Sequence, residues 1–103
     1  MRKEIMAIIK EPGKPAELKE IPNTLEKLQE IVGGYIQAIP FDRESVLICD
    51  EEGKLKGYEV NFPLWNDVIV GTCVIAGVDG EDLADVPEQT IRTLNAICEE
   101  AGA

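Results

Sequence analysis

Asn23-Thr-Leu-Glu-Lys-Leu-Gln-Glu-Ile-Val-Gly-Gly-Tyr-Ile36 holds a helix start, a helix stop and the beginning of a strand. Asn23 can accept the N–H three residues on, and Glu26 stands where it can reach back, the spacing of a capping box. Leu25, Leu28, Ile31 and Val32 recur at the intervals of one helical face. Gly33 then supplies the left-handed conformation that closes a helix at little steric cost. Beyond it, Tyr35-Ile-Gln-Ala-Ile39 alternates toward Pro40 as a strand. A short amphipathic helix running straight into a strand already argues for a mixed fold.

Working outward, residues 5–10 are short and continuously apolar up to Lys10, as expected of a buried first strand. Glu11-Pro-Gly-Lys-Pro15 is a turn, and residues 16–21 return as a partner whose charges suit an exposed edge. Downstream, a polar connection over 42–45 leads to a fourth strand at 46–49. Asp50-Glu-Glu-Gly53 reads as a hairpin-type turn into Lys54-Leu-Lys-Gly57. Residues 57–67 are the least regular stretch. Residues 67–76 resume as a central strand, with Gly71 at a bulge or close approach. Residues 79–85 form an acidic loop. The closing helix is expected from an Asp85 cap, with Glu88 completing a second capping box; Ile91, Leu94, Ile97 and Cys98 form its stripe, and Gly102 ends it. The predicted order is β-β-α-β-β-(β)-β-α. It describes one α+β domain over residues 1–103, a single mostly antiparallel sheet with two helices on one face.

Three stretches, Glu30-Ile-Val-Gly-Gly-Tyr-Ile36, Glu51-Glu-Gly-Lys-Leu-Lys-Gly57 and Ile69-Val-Gly-Thr72, carry a resemblance that spans nearly the whole chain. The sequence resembles a family of small, uncharacterised α+β proteins from bacteria, their phages and mobile elements, grouped as a domain of unknown function. The resemblance implies an architecture and a setting but no activity. Members of that family often place a basic residue just after the asparagine equivalent to Asn61. Here Phe62 stands there, so a contact made by such a residue is lost.

Composition narrows the function classes. The chain has 103 residues, 45% of them hydrophobic, enough for one domain with its own core. No apolar run approaches the ~20 residues of a membrane helix, and no export signal is evident, so a cytoplasmic location is expected. Net charge is −10 and lopsided: residues 1–56 hold 11 acids and 9 bases, whereas residues 57–103 hold 9 acids and only Arg92. Nucleic acid and anionic membranes should repel such a surface, while a basic protein surface would attract it. There is no histidine, which removes His-dependent triads, metal sites and proton shuttles together. Gly53-Lys54 lacks the rest of a Walker loop, and Gly33-Gly34 follows a helix rather than a strand, the wrong context for a dinucleotide fingerprint. Cys49, Cys73 and Cys98 are odd in number and match no metal spacing, so they read as buried reduced thiols. No cofactor, metal or catalytic residue is expected.

Two groups of residues remain as candidates. Asn61, Phe62, Trp65 and Asn66 combine amides with an indole in an irregular stretch, where a ligand or partner would dock. The same residues would equally serve to cover one end of the core. Asp79, Glu81, Asp82, Asp85 and Glu88 form an acidic surface that would suit a DNA mimic occupying a DNA-binding protein. The expected role is a non-catalytic accessory or interaction module with a protein partner. A second copy, docked through a sheet edge or the Phe62–Trp65 patch, is compatible with the same features.

Overall fold

Runs of consecutive apolar residues in two strands, Val46–Cys49 and Cys73–Ala76, decide the architecture. In the computed structural model, which describes residues 2–103, these are β4 (Ser45–Asp50) and β7 (Cys73–Asp79). Leu47, Cys49, Cys73 and Ile75 point into one core, and Ile48, Val74 and Ala76 into another. Strands buried on both faces need a cover on each side. They lie at the middle of a six-stranded antiparallel sheet whose main path is β2-β1-β7-β4-β3. The other members are β1 (Glu4–Lys10), β2 (Glu17–Pro22), β3 (Ile36–Asp42) and β8 (Asp82–Ala84), which pairs with β7.

Helix α1 (Leu25–Val32) covers one face with Leu28 and Val32, against Ile5, Ala7, Ile21 and Ile48. Helix α2 (Glu88–Ala101) covers the other face with Leu94 and Cys98. Beside it on that face lies a separate two-stranded sheet, β5 (Val60–Leu64) and β6 (Asp67–Val70), contributing Phe62, Leu64 and Ile69. The α+β class and the mostly antiparallel sheet are as expected. The helices, however, lie on opposite faces, because β4 and β7 expose an apolar side chain in each direction. The expected continuous strand over 67–76 is also divided. Gly71, at φ +73°, takes the chain from β6 in the small sheet to β7 in the large one.

The caps differ from expectation for a common reason: the chain before each helix stays extended further than its composition suggests. β2 extends through Pro22, so Thr24 becomes the cap of α1, its Oγ1 accepting the Lys27 N–H at 3.2 Å. Asn23 instead ties this corner to the start of β1, donating from its side chain to the Arg2 carbonyl (3.0 Å) and from its backbone to Lys3 (2.8 Å). Gly33 closes α1 as expected, at φ 95°, with its N–H bonded to Gln29. Only half of the expected stripe is fully buried, for Leu25 is 52% exposed.

The acidic loop at 79–85 is a tight hairpin in which Asp79 faces Asp82 and Val78 faces Leu83. The chain then stays extended along β1, Val86 N–H bonding to Met6 C=O at 2.8 Å, so α2 starts after Pro87 without a side-chain cap. Asp85 is therefore not a cap. Its Oδ1 accepts the Met6 N–H (2.9 Å) and its Oδ2 meets Arg2 (2.8 Å). A carboxylate still reaches the first turn of α2 from elsewhere: Asp42 Oδ2 accepts the Thr90 hydroxyl at 2.7 Å, while its Oδ1 accepts Ser45 Oγ at 2.7 Å. That part-buried network joins α2 to the β3–β4 turn. Among the described residues, no helix is long and apolar enough to cross a membrane.

Candidate functional site

The stretch expected to be irregular is the β5–β6 hairpin, and it separates the four candidate residues. Asn61 is buried, and its side chain is fully used inside the fold. Its Nδ2 donates to the carbonyls of Lys10 and Gly71, both at 2.8 Å, and its Oδ1 accepts from Lys10 Nζ at 3.0 Å. Phe62 is a core residue, completely buried. Trp65 and Asn66, by contrast, make the exposed two-residue turn. Trp65 is 66% exposed and has φ +54°, while its ring stands 6.4 Å from that of Phe41 at 49°. The stretch thus divides into an inward half that builds the core and an outward half that displays an indole.

The acidic candidates divide as well. Asp85 is bonded to Arg2 and the Met6 amide, and Glu88 pairs with Arg92 at 2.8 Å. Asp79, Glu81 and Asp82 share the exposed tip of the β7–β8 hairpin. Among the described residues, no group of three or more metal-ligating side chains converges.

A cluster that spacing alone does not reveal forms where the three motif stretches meet. The Asp50 side chain, 1% exposed, accepts Lys56 Nζ at 2.7 Å and Tyr58 Oη at 3.0 Å on Oδ2, and the Glu52 N–H at 2.8 Å on Oδ1. Burial pushes this carboxyl up. The bonds from Lys56, the Glu52 amide and Tyr58 outweigh that effect and hold it below the usual carboxylate value. Lys56, hydrogen-bonded to Asp50, is correspondingly raised above the ordinary lysine value. Glycines make the space. A Cβ on Gly33 would lie 2.8 Å from the Tyr58 hydroxyl, one on Gly34 2.8 Å from Asp50 Oδ2, and one on Gly71 2.5 Å from the Tyr58 ring. The shared stretches therefore assemble a packed polar lock, with its Tyr and Lys committed to one carboxylate.

Beside this lock runs a groove of about 170 Å³ between β3, the 51–57 turn and β6, lined by Gln37, Ile39, Cys49, Leu55, Ile69 and Val70. Leu55 is 87% exposed, and Trp65 stands two residues before β6 begins. The Lys54–Asp67 ion pair, 2.5 Å, borders the groove and lowers the Asp67 carboxyl. Cys49, at its floor, is raised above the usual thiol value by burial and by the Asp50 and Asp67 charges. Burial raises Cys73 and Cys98 too, and all three thiols are free. None has the electropositive, accessible setting of a reactive thiolate.

The arrangement defines a small α+β domain whose apolar display lies on one hairpin turn and the groove beside it. The chain belongs to the DUF3846 family, a domain of unknown function, which matches residues 2–99. No curated protein and no solved structure matches it.

Proposed function

We propose that this domain is a non-catalytic protein-binding module that docks its partner at the groove beside β6, with Trp65 as the anchor. One observation carries the reading: the backbone of Trp65. A bulky residue at positive φ costs about 1–2 kcal/mol relative to glycine or asparagine, the residues such turns normally take. The side chain held there is largely exposed rather than buried in the core. Neither cost is recovered within the folded chain except through the contact with Phe41. Both are recovered if a partner buries the indole, since tryptophan is prominent among interface anchors. The commitment of Tyr58 and Lys56 to Asp50, together with the raised thiols, supports a non-catalytic role. The cytoplasmic setting, and an origin in bacteria, phages or mobile elements, belong to the same proposal.

The test compares wild type with Trp65→Asn and Leu55→Ser in affinity capture from bacterial lysate, washed at low and then high salt. Leu18→Ser, on the distant edge strand, is the control. A specific protein retained at high salt by wild type and the control, but lost by both the Trp65 and the Leu55 variants, is the expected result. Capture of the same salt-labile nucleic-acid-binding proteins by all four would overturn it and favour the acidic hairpin tip as a DNA mimic, because exposed charge pairs are screened.

A further inference from the structure

The two outer edges of the main sheet differ in a way that its fold does not require. β2 carries Glu17, Lys19 and Glu20 along its edge, the usual protection against pairing with another chain. β3 carries no charge from Ile36 to Phe41, although the chain is 29% charged. Gln37, Ala38 and Pro40 are exposed on it.

The ladder shows what that edge offers. Ile36 lies opposite Asp50, and the Glu51 N–H bonds to Tyr35 C=O at 2.8 Å. Residues 35, 37 and 39 therefore aim their backbone groups at β4, and 36, 38 and 40 aim theirs outward. Pro40 sits at an outward position, where its missing N–H costs the β3–β4 ladder nothing. The outward groups are then the N–H of Ile36 and Ala38 and the C=O of Ile36, Ala38 and Pro40.

We infer that β3 is the dimer edge of this protein, pairing antiparallel with β3 of a second copy about a twofold axis at Ala38. In that register Ala38 exchanges both bonds with Ala38 of the other copy, and the Ile36 N–H meets the Pro40 C=O. Every outward N–H finds a carbonyl, and proline falls where a donor is not needed. A strand from an unrelated protein would not be constrained to match this spacing; an identical copy matches it by symmetry. Charge selects the same edge. Two molecules of net charge −10 repel, so their contact must avoid carboxylates, and β3 lies between Glu30 and Asp42 with none. The axis is perpendicular to the sheet, so both copies present their β5–β6 hairpins on one side. Two Trp65 anchors then face the same way, and a partner with two binding sites would gain avidity. The dimer itself does not depend on the role proposed for Trp65.

Light scattering on the eluting protein is expected to give twice the 11.3 kDa chain mass, with the dimer favoured by added salt. Ala38→Lys should return the single-chain mass while leaving the circular dichroism melt in place. Ala38→Cys provides a second reading that does not rely on disruption. Opposed bonded residues lie about 5.5 Å apart, within the span a disulfide bridges, and the three natural cysteines are buried. Oxidised Ala38→Cys should run as a covalent dimer on a non-reducing gel, whereas Leu18→Cys on β2 should not. A single-chain mass for wild type at every concentration, with no Ala38→Cys dimer, overturns the inference. So does a dimer that Ala38→Lys leaves intact and Leu18→Cys cross-links.

Discussion

Gly71→Ala and Gly57→Ala are the same chemical change at nearly the same backbone angle, φ +73° and +75°. Their surroundings differ. Nothing lies within 4 Å of a Cβ built on Gly57, whereas on Gly71 it would meet the Tyr58 ring at 2.5 and 3.2 Å and the Tyr58 Cβ at 3.3 Å. Gly57→Ala should therefore cost only the left-handed backbone penalty, about 1–2 kcal/mol. Gly71→Ala adds an overpacking cost of about 1–3 kcal/mol, because the Tyr58 hydroxyl is held by Asp50 and its ring cannot swing away freely. The expected total is about 2–5 kcal/mol. Urea unfolding measures both, with the slope checked for constancy so that midpoint shifts report stability. A double-mutant cycle with Tyr58→Ala separates the terms: most of the excess cost of Gly71→Ala should go with the ring, and the backbone penalty should survive. Were Gly71→Ala no worse than Gly57→Ala, or its excess unchanged without the ring, the idea that glycines make room for the Asp50–Tyr58 lock would be wrong.

Asn61→Leu should cost about 2–4 kcal/mol in the same unfolding assay, since it orphans the Lys10 and Gly71 carbonyls and one bond of the buried Lys10 ammonium; a near-neutral result would show that these groups find other partners. The folded protein holds Asp42 and Asp50 below the ordinary carboxyl value, net of burial, which acts the other way. Their stabilisation is thus complete above the unfolded value of about 3.9 and is lost as pH falls through the folded one. Thermal midpoints should drop on acidification below about pH 4, and Asp50→Asn should flatten that decline. A thiol-specific chromogenic reagent should label Cys49, Cys73 and Cys98 only as fast as the protein unfolds; rapid labelling of Cys49 in native protein would mean that the groove opens.

Local signals were legible and distant ones were not. The Gly33 stop of α1 and the Leu28 and Val32 half of its stripe depend on neighbours within one helix, and they stand as read, whereas Leu25 lies exposed. The cap moved from Asn23 to Thr24 because β2 pairing carries Pro22 along, a tertiary effect. The β5–β6 hairpin was hidden because its burial opposes its hydropathy: Asn61 points inward, Val60 is 62% exposed, and the turn is Trp-Asn rather than a glycine pair. The break at Gly71 lies inside one apolar run whose halves enter different sheets, and only the glycine marks it. Of the candidate site, the Trp65 display fell within the stretch singled out, whereas the Asp50–Lys56–Tyr58 lock did not. Its parts look like solubilising turn charges until glycines from two segments, Gly33-Gly34 and Gly71, enclose them. Lys10 likewise reads as a strand end. It continues the inward face of Ile8, and Asn61 supplies the acceptor that lets an ammonium remain there.

The place of β7 at the centre of the sheet sets the order in which this chain can fold. Ile8 of β1 is partnered by Ile75, and Leu47 of β4 by the same residue. The β1–β2 and β3–β4 hairpins do not pair with each other; both wait for a strand that follows them in the sequence. Until β7 pairs with both, the two hairpins are separate units, each marginal alone and with an edge open to the wrong neighbour. The arrival of β7 joins them in one step. Such distant pairing puts refolding on the slow side for a domain of this length, with the insertion of β7 as the event that commits the chain.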